Sequence, residues 1–372
     1  MPTDRVSERA GGAIAPGDPA RPHHHTKIGF KNPAGSPERL RRRNRLLKFL
    51  WRQRIHAKTH LIPDDHVLPI GATLDGLDAA AGQDSVTWLG HAAFLIRIAG
   101  QTVLIDPFLS DYASPVQGVG PRRFTPPGLP VEALPPIDLL LVSHNHYDHL
   151  DAKTIDALPH KSRIRVVVPL GVGRFFRRRG YRSVAELDWH HQSVAGPLTI
   201  TAVPAIHRSA RTLIDRNRTL WAGFVIESAE RRLYFGGDTG YGAVFAETGR
   251  RYGPFDLAML GIGCYAPRAA MHMNHANPEE AIQIALDLGA RHVIGMHWGT
   301  IVMTVEPPFE PPVRFRAAAS RAGYAPDAAW LMKIGETRLL PRSVIPLGTE
   351  QLAAIDDDGL AGDPARERAR QE

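Results

Sequence analysis

The sequence predicts an α/β fold with sheets inside and helices outside. From about residue 85, short runs rich in β-branched and aromatic residues alternate with helix candidates. One run, IDLLLVS at 137–143, is apolar almost throughout, as expected of a strand buried on both faces. Gly and Pro are plentiful, at 34 and 31 of 372 residues, which favours turns and short strands over long helices.

The chain opens with small, polar and Pro/Gly-containing residues, so 1–22 are expected to be disordered. Residues 23–83 are read as a separate N-terminal part beside the core. It begins with HHHTKIGFKNPAGSPE, whose histidines receive no role, and continues into the basic run RLRRRNRLLKFLWRQR at 39–54. That run lacks Gly and Pro and reads as a helix, with Leu47, Leu50, Trp51 and Ile55 on one face. The main domain is placed at 84–346. Its strand candidates are SVTWLGH, AFLIRIA, TVLIDPF, IDLLLVS, RIRVVVP, LTITAVP, AGFVIES, RRLYFGG, LAMLGIG and HVIGMHW. Helix candidates are AKTIDAL, GVGRFFRRRG and PEEAIQIALDLG, the last with Pro278 in its first turn. No fixed-period repeat is visible, and the tail 347–372 is expected to be disordered.

Composition narrows the chemistry. A single cysteine, Cys264, excludes an intramolecular disulfide and a thiolate metal cluster, so any metal must use His and carboxylates. Nothing activates Cys264, which reads as a small interior residue. The net charge of +7 favours anionic partners: phospholipid, nucleic acid or a phosphorylated substrate. No apolar stretch is long enough to span a bilayer, and the first residues lack the apolar core of a secretory signal. The expectation is a cytoplasmic protein, peripheral at the inner membrane surface if the 39–54 helix lies on anionic lipid.

The strongest local signal is SHNHYDHLD at 143–151, directly after the buried run. His144 and His146 project to one side of an extended backbone. Asp148 and His149 follow in the next loop. Burying these four without a cation would be costly, whereas neutral imidazole and carboxylate are good zinc ligands. Further candidates stand at the ends of distant strands: His207 in VPAIHRS, Asp238 in YFGGDTGY and His297 in VIGMHWGT. Gly236 and Gly237 allow a tight turn before Asp238.

The H-x-H-x-D-H motif with a distal His, Asp and His resembles metallo-β-lactamase-fold hydrolases. That resemblance implies an αβ/βα four-layer sandwich with metals at one edge of two central sheets. It implies one metal on His144, His146 and His207, a second on Asp148, His149 and His297, and Asp238 as the bridge. The segments WLGHAAF, IDPFLSDYASP, GPRRF, LPPIDLLLVSHNHYDHLD, VPLG, ELDW, FGGDTGY, GPFDLAMLGIG, NPEEA and HWGT follow one another across roughly residues 84–340. They resemble the N-acyl-phosphatidylethanolamine-hydrolysing phospholipase D family. By matching motif position, Tyr147 and His275 would contact substrate, with His272 a competitor for the latter. Asp106 would orient a ligand histidine or simply serve as a turn residue before Pro107. After His207 the chain reads RSART, so Ala210 replaces a lysine of the mammalian members while Arg211 keeps a substrate-facing positive charge next door.

The resemblance implies two Zn2+ ions ~3.5–4 Å apart sharing a hydroxide that attacks phosphorus. Iron or manganese could use the same ligands. Asp148, Asp238 and His275 would carry the catalytic roles. The substrate would be an N-acyl-phosphatidylethanolamine-like phospholipid or another phosphodiester, with a lactonase or a nucleotide or RNA phosphodiesterase as the alternative. A non-enzymatic metal-binding protein at the membrane surface is the other alternative. No stable nucleic-acid partner is expected, since no aromatic-studded basic platform is present. A homodimer is compatible with the chain.

Overall fold

The computed structural model describes residues 22–37, 61–116, 118–341 and 343. The expected basic helix at 39–54 lies outside these residues, as do the tail 347–372 and all of 1–22 except Pro22. Among the described residues no helix is long and apolar enough to cross a membrane.

Two seven-stranded sheets form the centre. The first holds β1 (Ser85–Gly90), β2 (Ala93–Ile98), β3 (Gln101–Ile105), β4 (Leu139–Leu141), β5 (Arg165–Pro169) and β6 (Ser183–Leu187). The second holds β7 (Gln192–Ala195), β8 (Leu198–Val203), β9 (Gly223–Glu227), β10 (Arg232–Phe235), β11 (Phe255–Gly261), β12 (Ala290–Met296) and β13 (Ala329–Trp330). The last strand, β14 (Thr337–Leu339), returns to the first sheet and pairs with β1. The spatial orders are β14-β1-β2-β3-β4-β5-β6 and β13-β12-β11-β10-β9-β8-β7. Starting from β14 in one sheet and β7 in the other, both run through three antiparallel pairings and then three parallel ones. The halves therefore repeat a pairing scheme although the sequence has no readable period.

That scheme decides where chemistry can collect. β1 and β3 are both antiparallel to β2, and β4 is parallel to β3, so all three run the same way. By the same logic β8, β10 and β12 share a direction. The six strands release their chains into His91, Asp106, the 143–149 loop, His207, Asp238 and His297.

Alternation along the first sheet separates its faces. Trp88, Phe94, Ile96, Val103, Leu139 and Val167 point into the core shared with the second sheet. There the Phe94 and Phe235 rings meet edge to face at 6.3 Å between centroids. Leu89, Leu95, Leu104, Leu140, Val166 and Val168 point outward, where helices α2 (Ala152–Ala157) and α3 (Gly173–Arg177) contribute Ile155 and Phe176 to cover them. The outer side of the second sheet is covered by α6 (Pro278–Asp287), which packs on β11 and β12, flanked by α4 (Val244–Tyr252) and α7 (Glu310–Arg321). The result is the helix–sheet–sheet–helix layering of the metallo-β-lactamase fold.

Pro278 occupies the first turn of α6 as expected, behind an Asn277–Glu280 capping box with bonds of 2.8 and 3.0 Å. The IDLLLVS run yields a strand only at Leu139–Leu141. Val142 stays buried and still donates to the Val167 carbonyl at 3.4 Å, whereas the Ser143 N–H turns to Asp106 Oδ1 at 2.7 Å. Sequence periodicity did not single out α1 (Ile70–Ala79), α4, α5 (Arg268–Met271), α7, β6, β7, β13 or β14. Except for α1, α4 and α7, these are short, and α7 begins with the unusual pair Pro311–Pro312.

Candidate metal centre

A tight turn sets up the 143–151 loop. The N–H groups of His149 and Leu150 both reach the His146 carbonyl, at 3.2 and 2.8 Å, which folds Asp148 and His149 back toward His144. Asp151 closes the turn by capping α2, accepting from the Lys153 N–H at 3.2 Å and the Thr154 hydroxyl at 2.6 Å.

The strand ends converge on this loop in two facing groups: His144, His146, His207 and Asp238, and His91, Asp148, His149 and His297. Asp238 stands between them. Its Oδ2 lies 3.2 Å from His149 Nε2, 3.6 Å from His207 Nε2 and 3.8 Å from His144 Nε2, while its Oδ1 lies 3.1 Å from His297 Nε2. In the first group His146 Nδ1 is 2.9 Å from His144 Nε2 and 3.2 Å from His207 Nε2. Ligands on a tetrahedral zinc with 2.0–2.1 Å bonds are separated by about 3.3 Å, so this spacing is close to that of a ligand shell. Among the described residues, His149 Nε2, Asp238 Oδ1 and His297 Nε2 are buried without a hydrogen-bond partner. Buried polar atoms without partners, gathered beside two carboxylates, are unfavourable unless a cation satisfies them, so the residues present fit divalent metal.

Outer contacts orient the imidazoles. His149 Nδ1 donates to Asp106 Oδ2 at 2.7 Å. The Ser143 hydroxyl donates to the same carboxylate and so accepts from His144 Nδ1 at 3.0 Å. His207 Nδ1 donates to the Asn274 carbonyl at 2.9 Å. Each contact leaves Nε2 free to face the cluster. Asp106 therefore does more than turn the chain before Pro107.

Backbone strain collects here too. His91, Asp106, Cys264 and His297 have φ of 54°, 41°, 61° and 65°, a left-handed conformation costly for non-glycine residues. Gly237 precedes Asp238 with φ of 56°, and a Cβ there would come 2.8 Å from the Ser143 Cβ.

Burial pushes His144 and His207 well below the ordinary imidazole range, helped by neighbouring imidazoles, and pushes His146 down to about 4. For His149 burial is outweighed by Asp238, Asp148 and Asp106, and its pKa rises well above the usual value. Burial would raise Asp148 and Asp238, yet His149 and other histidines hold both carboxyls well below the usual range.

The remaining candidates sit around the rim. His275 Nδ1 is 3.9 Å from Asp238 Oδ2, whereas its competitor His272 turns away, with Nδ1 on the Arg268 carbonyl at 2.9 Å. The Tyr147 hydroxyl donates to the Arg211 carbonyl at 2.8 Å. Arg211 stacks its guanidinium 3.9 Å over the Tyr147 ring and donates to the Asn145 and Leu150 carbonyls at 3.0 and 2.6 Å. The arginine braces two loops and spends these donors on protein. Cys264 is buried, with burial pushing its thiol well up, as befits an interior residue rather than a nucleophile. His91 was not assigned from sequence. It donates from Nε2 to Asp148 Oδ2 at 3.0 Å, and its ring lies 3.8 Å from that of His297. Its signal was the WLGH motif at a strand end, the same setting as the other cluster histidines.

The family model for the β-lactamase superfamily domain matches residues 101–298, just over half of the chain. The chain belongs to this superfamily. An N-acyl-phosphatidylethanolamine-hydrolyzing phospholipase D of Caenorhabditis elegans is 39% identical over 260 residues, covering 66% of this chain and 73% of that one. A metal-dependent hydrolase of Rubrobacter xylanophilus is 33% identical over 268 residues, covering 68% of this chain and 96% of that one. An uncharacterized Mycobacterium tuberculosis protein is 43% identical over 244 residues, and the match spans 64% of this chain and 65% of that protein's length. The solved structure of a metallo hydrolase from Ignicoccus hospitalis superposes with a TM-score of 0.52 at 22% identity, covering 70% of this chain and all of that one.

His91 lies outside the 101–298 match, in the turn directly after β1.

Proposed function

We propose that the chain is a binuclear zinc-dependent phosphodiesterase of phospholipase D type, acting on N-acyl-phosphatidylethanolamine-like phospholipids. The observation that carries this reading is the carboxylate of Asp238, whose Oδ2 lies 3.2 Å from His149 of one group and 3.6 and 3.8 Å from His207 and His144 of the other, while Oδ1 faces His297. His144, His146 and His207 would hold one ion, Asp148, His149 and His297 the other, and Asp238 both. A pair of divalent ions lowers the pKa of water toward neutrality and neutralises charge on a phosphoryl group.

The chain's own residues supply orientation. Ser143, Asp106 and the Asn274 carbonyl fix three ligand tautomers. His91 holds the Asp148 carboxylate. His275, with a side chain 12% exposed beside Asp238, is placed to meet a substrate oxygen at the mouth. Tyr147 and Arg211 keep the mouth in shape. The products would be phosphatidic acid and an N-acylethanolamine.

One feature favours a lipid over a nucleotide. On the loop after His207 Leu213 stands fully exposed and Ile214 largely so, where aliphatic side chains suit a bilayer surface better than water. The net charge of +7 suits anionic lipid.

The test uses zinc-loaded protein and mixed vesicles of N-acyl-phosphatidylethanolamine and phosphatidylethanolamine, with products identified by mass spectrometry and Asp148→Asn as control. Phosphatidic acid and N-acylethanolamine from wild type alone are expected. If neither lipid is cleaved while a simple phosphodiester is, the lipid assignment falls and nucleotides and RNA become the substrates to examine.

A further inference from the structure

Residues 22–37 form a strap across the second sheet's end of the molecule, outside the superfamily match. Its anchor is double. His24 Nε2 donates to Asp188 Oδ1 at 2.5 Å and His25 Nε2 to Asp188 Oδ2 at 2.6 Å. The His24 ring also stacks on Trp189 at 4.2 Å between centroids. Further along, the Phe30 N–H donates to the Asn217 carbonyl at 2.8 Å. Gly29 lies so close to the same group that a Cβ would come 2.0 Å from its oxygen. The strap then reaches the cluster: Asn32 Oδ1 accepts the backbone N–H of His207 at 2.9 Å.

We propose that Asn32 is a positioning residue for the metal centre, and that the His24–Asp188–His25 clasp exists to keep it there. His207 is 2% exposed, so its N–H has little access to water if the acceptor is removed. An unsatisfied buried N–H is costly, and the chain at 207 relaxes by turning that group toward solvent. The ring moves with the backbone. His207 Nε2 stands 3.2 Å from His146 Nδ1, so a shift of a few tenths of an ångström spoils their common ligand spacing. Asn32 thus fixes the main chain of His207 while the Asn274 carbonyl fixes its ring. A segment 175 residues away in sequence completes one metal's surroundings.

The inference rests on the metal-dependent reading of the site and on no particular substrate. Full-length wild type, Asn32→Ala, Asn32→Asp and the double variant His24→Gln/His25→Gln are compared. Zn2+ affinity is read by competition with a chelating dye, the Co2+ form by its visible spectrum, and the metal-free proteins by thermal unfolding. Asn32→Ala is expected to weaken one of two zinc sites by about ten- to a hundredfold and to alter the Co2+ spectrum. Asn32→Asp keeps an acceptor oxygen and is expected to stay within a few-fold of wild type. The clasp variant is expected to weaken the same site. Wild-type zinc affinity and spectrum in Asn32→Ala would overturn the proposal, as would Asn32→Asp binding no better than Asn32→Ala. If Asn32→Ala does not fold, the clasp variant decides, and unchanged affinity there overturns the proposal. A wild type that binds no metal sinks the metal centre itself along with this inference; a wild type that binds normally beside an unaffected Asn32→Ala sinks the inference alone.

Discussion

Asp106 Oδ2 and His149 Nδ1 lie 2.7 Å apart, and neither side chain has any exposure to solvent. The carboxylate also accepts from the Ser143 N–H and hydroxyl, so one residue orients both His149 and, through Ser143, His144. Asp106→Ala is expected to lower metal affinity by about ten- to a hundredfold. Asp106→Asn is expected to be no better, since its single amide oxygen cannot take both carboxylate positions and its NH2 must then face either the His149 Nδ1–H or the Ser143 N–H. Chelator competition on both variants checks this, and near-wild-type affinity in either would refute it.

The position of Asp238 between two groups makes its removal different in kind from that of Asp148. On the binuclear reading proposed above, Asp238→Asn is expected to deplete both metals, whereas Asp148→Asn depletes the His149/His297 group and spares His144, His146 and His207. Activity falls by at least about 100-fold in each, more than for an outer contact. Metal equivalents per chain, measured on the purified variants, separate the two patterns.

His91 supports Asp148 from a left-handed backbone, φ 54°. Replacement by Ala removes the hydrogen bond and keeps the backbone cost. Asn tolerates that conformation better and can still donate. The order of metal affinity at the Asp148 group is expected to be wild type, then His91→Asn, then His91→Ala. Equal affinities would show that Asp148 needs no such support.

Gly237→Ala puts a Cβ 2.8 Å from Ser143 Cβ at a residue with φ of 56°. The expected loss is about 1–3 kcal/mol of stability, accompanied by weaker metal binding because the turn carries Asp238. Thermal unfolding of metal-free and metal-loaded protein measures both effects.

Burial would raise the Asp188 carboxyl, but the hydrogen bond and charge of His24, the Trp189 N–H and His25 outweigh it and hold its pKa below the ordinary carboxylate value. A carboxyl with a depressed folded pKa stabilises at pH above its unfolded value of about 3.9 and loses that contribution as pH falls through the folded one. Asp188→Asn is therefore expected to lower Tm at neutral pH, with the gap to wild type closing only below about pH 4. A gap that is constant across this range would remove the carboxylate from the account.

Sequence alone carried the H-x-H-x-D-H loop, because its four side chains lie within one turn and need no long-range partner to be recognised. It also carried the alternating strand pattern, since faces that are buried on both sides must be apolar on both. His207, Asp238 and His297 were legible as polar residues at strand ends and gained their grouping from family resemblance. Tertiary structure alone decided the rest. Short strands such as β13 and β14 owe their pairing to neighbours far along the chain, not to their own two or three residues. His91 joins Asp148 across 57 residues, and Asn32 joins His207 across 175. Local propensity holds no record of such contacts: a hydrogen bond between distant segments exists only once the sheets have set their strand directions and brought the strand ends to one edge.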